Sequence, residues 1–274
     1  MEPGKEYRLK EEEFQRIVAY AKNYYGIELG QKRVVVEGRL KNYLAAHGYS
    51  SYAEYMNVVE REPAGGEARN LINLLTTNHT FFMREFEHFE FLQKTVLPQL
   101  KITEQNKKDL RIWCAAASSG EEPYTIAMVL MDFFGLEHAG WDTTVLATDI
   151  STRVLETAVK GIYANEQLMN LPDAWKRRYF KKYDDGHCIV NDMLKEQVLF
   201  RQFNLMEPLP FRKKLHVVFL RNVMIYFSEE TKRQLLDKIY ACMEPGGYLF
   251  IGTTETIDRE RAGFQYVRPS VYRK

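Results

Sequence analysis

The chain has 274 residues, 45% hydrophobic and 27% charged, with a formal net charge of +1, which suits one large and one small globular domain and excludes disordered and fibrous classes. Near-neutral charge supplies no broad attraction to phosphate backbones, so nucleic acid is not expected as a partner. Met1 to Glu6 lacks a signal peptide's apolar run and no stretch is long enough to span a bilayer, while Cys114, Cys188 and Cys242 lack paired spacing, so a cytoplasmic protein with neither membrane insertion, disulfide framework nor structural zinc is expected.

From residue 10 to about 77 the pattern is helical. Phe14, Ile17, Val18 and Ala21 recur at three- and four-residue spacing and Gly26 supplies a stop. Further helices are expected at 31–47, 51–62 and 67–77, punctuated by Gly48, by Ser51 as an N-cap, and by Pro63 with Gly65-Gly66. A helical run over 86–100 then leads into a polar connection at 101–109. Beyond 110 the period changes: strands are expected at 110–114, 143–148, 215–220 and 248–253, and helices at 124–134, 152–160 and 228–243. Such alternation predicts a parallel sheet covered on both faces. The rhythm breaks where Asp184-Asp185-Gly186 precedes 187–190 and Asn191-Asp192 precedes Val198, Leu199 and Phe200. A small antiparallel insertion is expected there, over about 183–203. Residues 1–77 thus form a helical N-terminal domain, 78–109 a linker and linking helix, and 110–274 an α/β domain.

Ligands of open α/β sheets sit beyond the carboxyl ends of strands. After the first strand, small residues from Ala115 to Gly120 would let the backbone approach a cofactor, although taken alone such a turn is more often only tight packing. Glu121-Glu122 would repel a pyrophosphate at this helix start, and the spaced glycines of a dinucleotide loop are missing. A cationic ligand fits better. Asp149, after the second strand, can accept hydrogen bonds from both hydroxyls of a ribose or serve the start of the next helix. Arg221-Asn222, leaving the third strand with Tyr226 following, is hard to explain by the core alone. The six histidines show no metal-ligand spacing, and no metal is expected.

Five ordered segments carry a resemblance: Thr76 to Glu85, Ala115 to Pro123, Ala147 to Ile150, Phe203 to Leu205 and Arg221 to Phe227. Together they resemble the chemotaxis receptor methyltransferase (CheR) family, at domain level over the whole chain. The resemblance implies a class I S-adenosylmethionine-dependent methyltransferase (Rossmann-like) domain with a small antiparallel β-subdomain, preceded by an all-α domain. It implies formation of glutamate γ-methyl esters on cytoplasmic helical bundles of methyl-accepting chemotaxis receptors, by a monomer recruited to membrane receptor arrays. The product would be S-adenosylhomocysteine, and a receptor C-terminal tether peptide is an open question. Asn78, Thr80 and Arg84 would reach the cofactor, with Glu122 near its methionine end or adenosine and Asp149 at the ribose. Asn204, Leu205, Arg221 and Asn222 would complete the pocket, and Arg84 and Tyr226 would hold the substrate carboxylate. Met83 replaces a usual Phe, and Gly252-Thr253-Thr254-Glu255 replaces Gly-His-Ser-Glu, which weakens any role for the missing histidine but leaves Glu255.

A signalling adaptor that binds cofactor without turnover is the alternative from another class. An N-methyltransferase fits less well, because the Asn222–Tyr226 segment lacks the Pro-Pro of that group's motif. Lys32 and Arg39, seven residues apart and within about 20° of one helix face, are candidates for meeting an acidic substrate helix; an ordinary solvated face is the competing reading.

Overall fold

The computed structural model describes residues 7–30, 32–63, 65–76, 78–258 and 263–274. Expectations at Met1 to Glu6, Gln31 and Thr77 lie outside the described residues. The chain divides into two compact units: Met1–Thr77 with Tyr226–Thr231, and Asn78–Ile225 with Lys232–Lys274.

The first unit contains α1 (Glu11–Tyr25), α2 (Arg33–His47), α3 (Tyr52–Arg61) and α4 (Gly66–Leu75). Gly26 ends α1 in the left-handed region, φ 67°, as a residue without Cβ can. The Ser51 hydroxyl accepts from the Glu54 N–H at 3.1 Å and so satisfies a free donor of α3. Apolar positions at helical spacing, Phe14 and Ile17 on α1, Leu40 and Leu44 on α2, Leu71 and Ile72 on α4, are buried where these helices pack. Arg39 is occupied within this unit: its Nη1 donates to the carbonyls of Leu74, Leu75 and Thr76 at 3.1, 3.0 and 3.1 Å. The guanidinium caps the negative end of α4. The expected docking pair is corrected accordingly, because helix-terminal carbonyls claim one of its two cations. Lys32 Nζ lies 5.1 Å from the ring centre of Tyr226.

The second unit opens with one helical path of three parts: α5 (Glu87–Phe91), a π-helical turn (Leu92–Val96) and α6 (Leu97–Thr103). There follow β1 (Ile112–Ala115), α7 (Glu121–Phe134), β2 (Val145–Asp149), α8 (Thr152–Lys160) and β3 (Ile162–Ala164). A 3-10 turn (Asn165–Leu168) leads to α9 (Asp173–Tyr179), β4 (Phe180–Lys182), β5 (His187–Val190), α10 (Asp192–Lys195) and β6 (Val198–Gln202). Last come β7 (Leu215–Leu220), α11 (Glu229–Cys242, of which Lys232 onward belongs to this unit), β8 (Met243–Ile251), β9 (Gln265–Arg268) and β10 (Val271–Arg273).

The main sheet has the order β6-β2-β1-β7-β8-β10-β9. Its first five strands run parallel, and β10 and β9 are antiparallel. Every residue of β1 and β7 is buried, as strands covered on both faces require, and Phe219 of β7 stacks on Phe250 of β8 at 4.5 Å. α7 packs against β2 and β6. The second sheet, β3-β5-β4, is antiparallel. It draws its first strand from Ile162–Ala164, upstream of the expected 183–203, and β6 belongs to the main sheet, where Val198 pairs with Val145 and Gln202 with Asp149. A short apolar run such as Val198 to Phe200 has no periodicity that names its partner.

Candidate active site

Five loops of the second unit follow the carboxyl ends of parallel strands and frame the candidate site. After β1, the chain turns through left-handed backbone at Ala116 (φ 61°), Ser118 (φ 50°) and Gly120 (φ 98°). The Ala117 N–H donates to the Thr148 carbonyl at 2.9 Å, and the Ser118 N–H donates to Asp149 Oδ2 at 2.9 Å. Asp149 Oδ1 accepts from the Ser151 N–H, also at 2.9 Å, while the Ser151 hydroxyl caps α8. Asp149 is only 7% exposed. Burial raises its pKa above the ordinary aspartate range, and the backbone donors of Ser151, Ser118 and Ile150 counter part of that rise. A carboxylate has about four acceptor positions, so bonds from these backbone donors still leave capacity for a ligand hydroxyl.

Ser118 also joins the loop to the linker, its hydroxyl donating to the Asn78 carbonyl at 3.1 Å. The Asn78 side-chain nitrogen is buried without a protein partner. An orphaned donor of that kind is what a bound ligand's acceptor would satisfy. Thr80 is half-buried in the same segment. After β6, the Phe203 N–H donates to the Asp149 carbonyl at 3.0 Å. Asn204 Oδ1 then accepts from the Met206 N–H at 3.0 Å, and the Leu205 carbonyl accepts from Lys238 Nζ at 2.6 Å.

Arg221 leaves β7 with its side chain 1% exposed. Its Nη1 is bonded to Glu122 Oε2, its Nη2 to the Arg84 carbonyl, and Nη2 lies 3.3 Å from Glu85 Oε2. Glu122 Oε1 accepts from the Cys114 thiol at 3.2 Å. Asn222, in the left-handed region at φ 56°, donates from its side chain to Glu85 Oε1 at 3.3 Å and from its backbone to Glu255 Oε2 at 2.9 Å. Glu255 also accepts the Gly252 N–H at 2.6 Å. A Cβ at Gly252 would come within 2.4 Å of Asn222 Nδ2, so this approach needs glycine.

Asn78, Arg84, Glu122, Asp149, Arg221 and Asn222 therefore join one framework of loops in this unit. Arg84 enters it through its carbonyl; its guanidinium donates to the His79 carbonyl at 2.7 Å and is 27% exposed. Tyr226 is placed with the helical unit, its carbonyl accepting from the Glu28 N–H at 2.8 Å.

Glu85 and His88 were not among the expected site residues. Burial pushes against ionisation of Glu85, but Arg221, Asn222 and His88 outweigh it and hold its pKa below the ordinary range. His88 is 3% exposed, and burial, reinforced by the charge of Arg221, pushes its pKa down to about 4 against the pull of Glu85. Only the adjacency of Glu85 to Arg84 in the linker segment could have signalled it. Glu121, read as one of two helix-start carboxylates, is 1% exposed and accepts from the Ser119 hydroxyl at 2.7 Å.

The donor set suits S-adenosylmethionine: a buried acceptor carboxylate for a ribose, small residues where backbone must approach, an orphaned amide donor, and no dinucleotide glycine pattern. Residues 78–272 match the family described as CheR methyltransferase, SAM binding domain, and residues 12–76 match CheR methyltransferase, all-alpha domain. The chain is 39% identical to the chemotaxis protein methyltransferase of Borreliella burgdorferi, covering 97% of this chain and 95% of that one. It is 38% identical to chemotaxis protein methyltransferase 2 of Pseudomonas aeruginosa, over 92% of this chain and 89% of that one. Against the chemotaxis protein methyltransferase of Escherichia coli K12 the identity is 36%, over 96% and 91%. With these matches over nearly its whole length, the chain belongs to the CheR methyltransferase family and is a methyltransferase with S-adenosylmethionine as cofactor.

Proposed function

We propose that the protein converts glutamate side chains on the cytoplasmic helical bundles of chemotaxis receptors to γ-methyl esters, acting as a monomer at receptor arrays. Its relatives are named for chemotaxis, and the chemistry of a carboxylate acceptor fits the residues present. S-adenosylmethionine supplies an electrophilic methyl group when bound. A glutamate with a pKa of about 4.3 is ionised at neutral pH and needs no general base. The protein's part is then to hold the cofactor and to align and partly desolvate the carboxylate, and positioning of this kind can supply roughly 7–11 kcal/mol. Asp149 and Asn78 are assigned to the cofactor, with Thr80, Glu122, Asn204, Leu205, Arg221 and Asn222 completing its surroundings. Arg84 is assigned to the acceptor carboxylate.

The observation that carries this reading is the mounting of Arg84. Its backbone is fixed by buried Arg221, while its guanidinium stays a quarter exposed. A planar fork can grip a carboxylate with two parallel hydrogen bonds, which the point charge of lysine cannot reproduce. Arg84→Lys is expected to lower turnover on the order of 100-fold at saturating cofactor, since misplacement by about 1 Å costs that much. Full recovery of rate by excess cofactor would remove the carboxylate-holding role. The reaction itself is tested by incubating protein, methyl-labelled cofactor and receptor cytoplasmic fragments, then mapping the label by mass spectrometry. Base-labile methyl groups on glutamates are expected. A base-stable label would indicate N-methylation, and cofactor binding without label would indicate an adaptor.

A further inference from the structure

The loop after β1 is conformationally costly. Ala116 and Ser118 are L-residues held in the left-handed region, a conformation that persists only where the surroundings over-determine it. Part of that restraint comes from the main sheet, through Thr148 and Asp149. A further part comes from the small antiparallel sheet. Tyr163, on β3, is 2% exposed, and its hydroxyl donates to the Ser119 carbonyl at 2.6 Å. Gly120 abuts the same hydroxyl: a Cβ there would lie 2.8 Å from Tyr163 Oη and 2.9 Å from Ala158 Cβ.

The Ser119 hydroxyl is tied from the other side. It donates to Glu121 Oε2 at 2.7 Å, and Glu121 Oε1 accepts from Gln167 Nε2 at 3.2 Å. Gln167 is itself fixed, because its Oε1 accepts from the Ala164 N–H at 2.9 Å. Ser119 is thus restrained at both its carbonyl and its hydroxyl by groups rooted in the β3 segment. The same sheet reaches the linker. Phe82 packs edge-on against Tyr163 at 4.9 Å and against Phe180 of β4 at 5.6 Å. Both cofactor segments, 78–84 and 115–122, therefore rest on this insertion.

We infer that the small antiparallel sheet is a structural part of the cofactor site, with Tyr163 and Gln167 as positioning residues that hold the Ser118–Glu122 loop in the shape S-adenosylmethionine binds. Neither residue is assigned to touch the cofactor; each acts through Ser119 and Glu121. Loss of either hydrogen bond lets the loop relax from its left-handed conformation, and cofactor affinity falls while the geometry of the transfer, once cofactor is bound, is kept.

The test uses the full chain and needs no receptor for its first measurement. Binding of S-adenosylhomocysteine is followed by calorimetry for wild type, Tyr163→Phe, Gln167→Ala and, as a control on the exposed side of β4, Lys181→Ala. Each positioning variant is expected to bind roughly 5- to 10-fold more weakly, the effect of one lost hydrogen bond, with the control unchanged. In steady-state methylation, KM for S-adenosylmethionine should rise by the same factor, with kcat at saturating cofactor and KM for receptor within about twofold of wild type. Gln167 is exposed, so its truncation keeps the test open should Tyr163→Phe fold poorly. Wild-type affinity in both variants would overturn the inference. So would a fall in kcat with cofactor affinity intact, which would place the effect on the acceptor side.

Discussion

Arg221 stands between Glu122 and Glu85 with almost no solvent contact. A buried cation between two carboxylates draws its stability from geometry, because either acid left alone would retain the desolvation cost without the attraction. Its position was legible, since an Arg-Asn pair that follows the apolar run Val217 to Leu220 is hard to explain by the core alone. Its partners were not. Glu85 lies far away in sequence, and a left-handed glutamate at φ 56° has no one-dimensional signature. Asp149 was legible as an acid after a strand; it supports the start of α8 through the Ser151 N–H, as one of its two readings required, and also holds the β1 loop through Ser118, which neither reading foresaw. Asp149→Ala is accordingly expected to weaken S-adenosylhomocysteine by about 1.5–3 kcal/mol through the lost ribose acceptor. The Ser118 tether is lost as well, which places the effect toward the upper part of that range. Calorimetry checks this, and an unchanged affinity would move the ribose away from Asp149.

At the scale of elements, periodicity identified the longer helices and the central strands, where burial follows one rule for many residues, but not the short helices α9 and α10. It missed what depends on pairing alone. The π-helical turn at Leu92–Val96 lies inside a single apolar helical pattern, and nothing in that pattern separates an i+4 from an i+5 bond. The hairpin of β9 and β10 was missed because its strands are four and three residues long. Yet β10 covers the edge of β8: Val271 pairs with Phe250 and Tyr272 with Leu249, and both Val271 and Tyr272 are buried. Deleting residues 264–274 would bare a row of unpaired donors and acceptors beside apolar surface. The shortened chain is expected to be recovered mainly as aggregate, as judged by size-exclusion chromatography with circular dichroism. A monodisperse, cooperatively unfolding product would show the hairpin to be dispensable.

For the molecule as a whole, pH exposes opposing demands among the buried groups. His88 titrates near 6.5 when unfolded and is pushed down to about 4 when folded. The unfolded chain then binds the extra proton, so stability is full above about 6.5 and falls by about 3 kcal/mol as pH drops to 4. Glu85, with its lowered pKa, adds a loss in the same direction at lower pH. Asp149, Glu121 and Glu255 are raised, chiefly by burial, and contribute oppositely: their stabilisation is present at low pH and lost as pH rises through their folded values. The difference between wild type and His88→Leu isolates the contribution of His88. Urea midpoints measured from pH 7 to pH 4 are expected to fall less steeply in the variant, and parallel curves would mean that His88 takes up its proton in the folded protein.

The strand order has a consequence during synthesis. β1 ends at Ala115, and β7, its partner on the inner side, begins at Leu215. A ribosome adding about 5–20 residues per second takes on the order of 5–20 s to make the roughly hundred residues between them. During that interval β2 and β6 can pair, and the small sheet can settle against the β1 loop, while one apolar edge of β1 stays open. The Asp149 side of the site is thus made before the Arg221 side exists, and the nascent chain passes through a half-sheet that offers a chaperone the surface later sealed by β7.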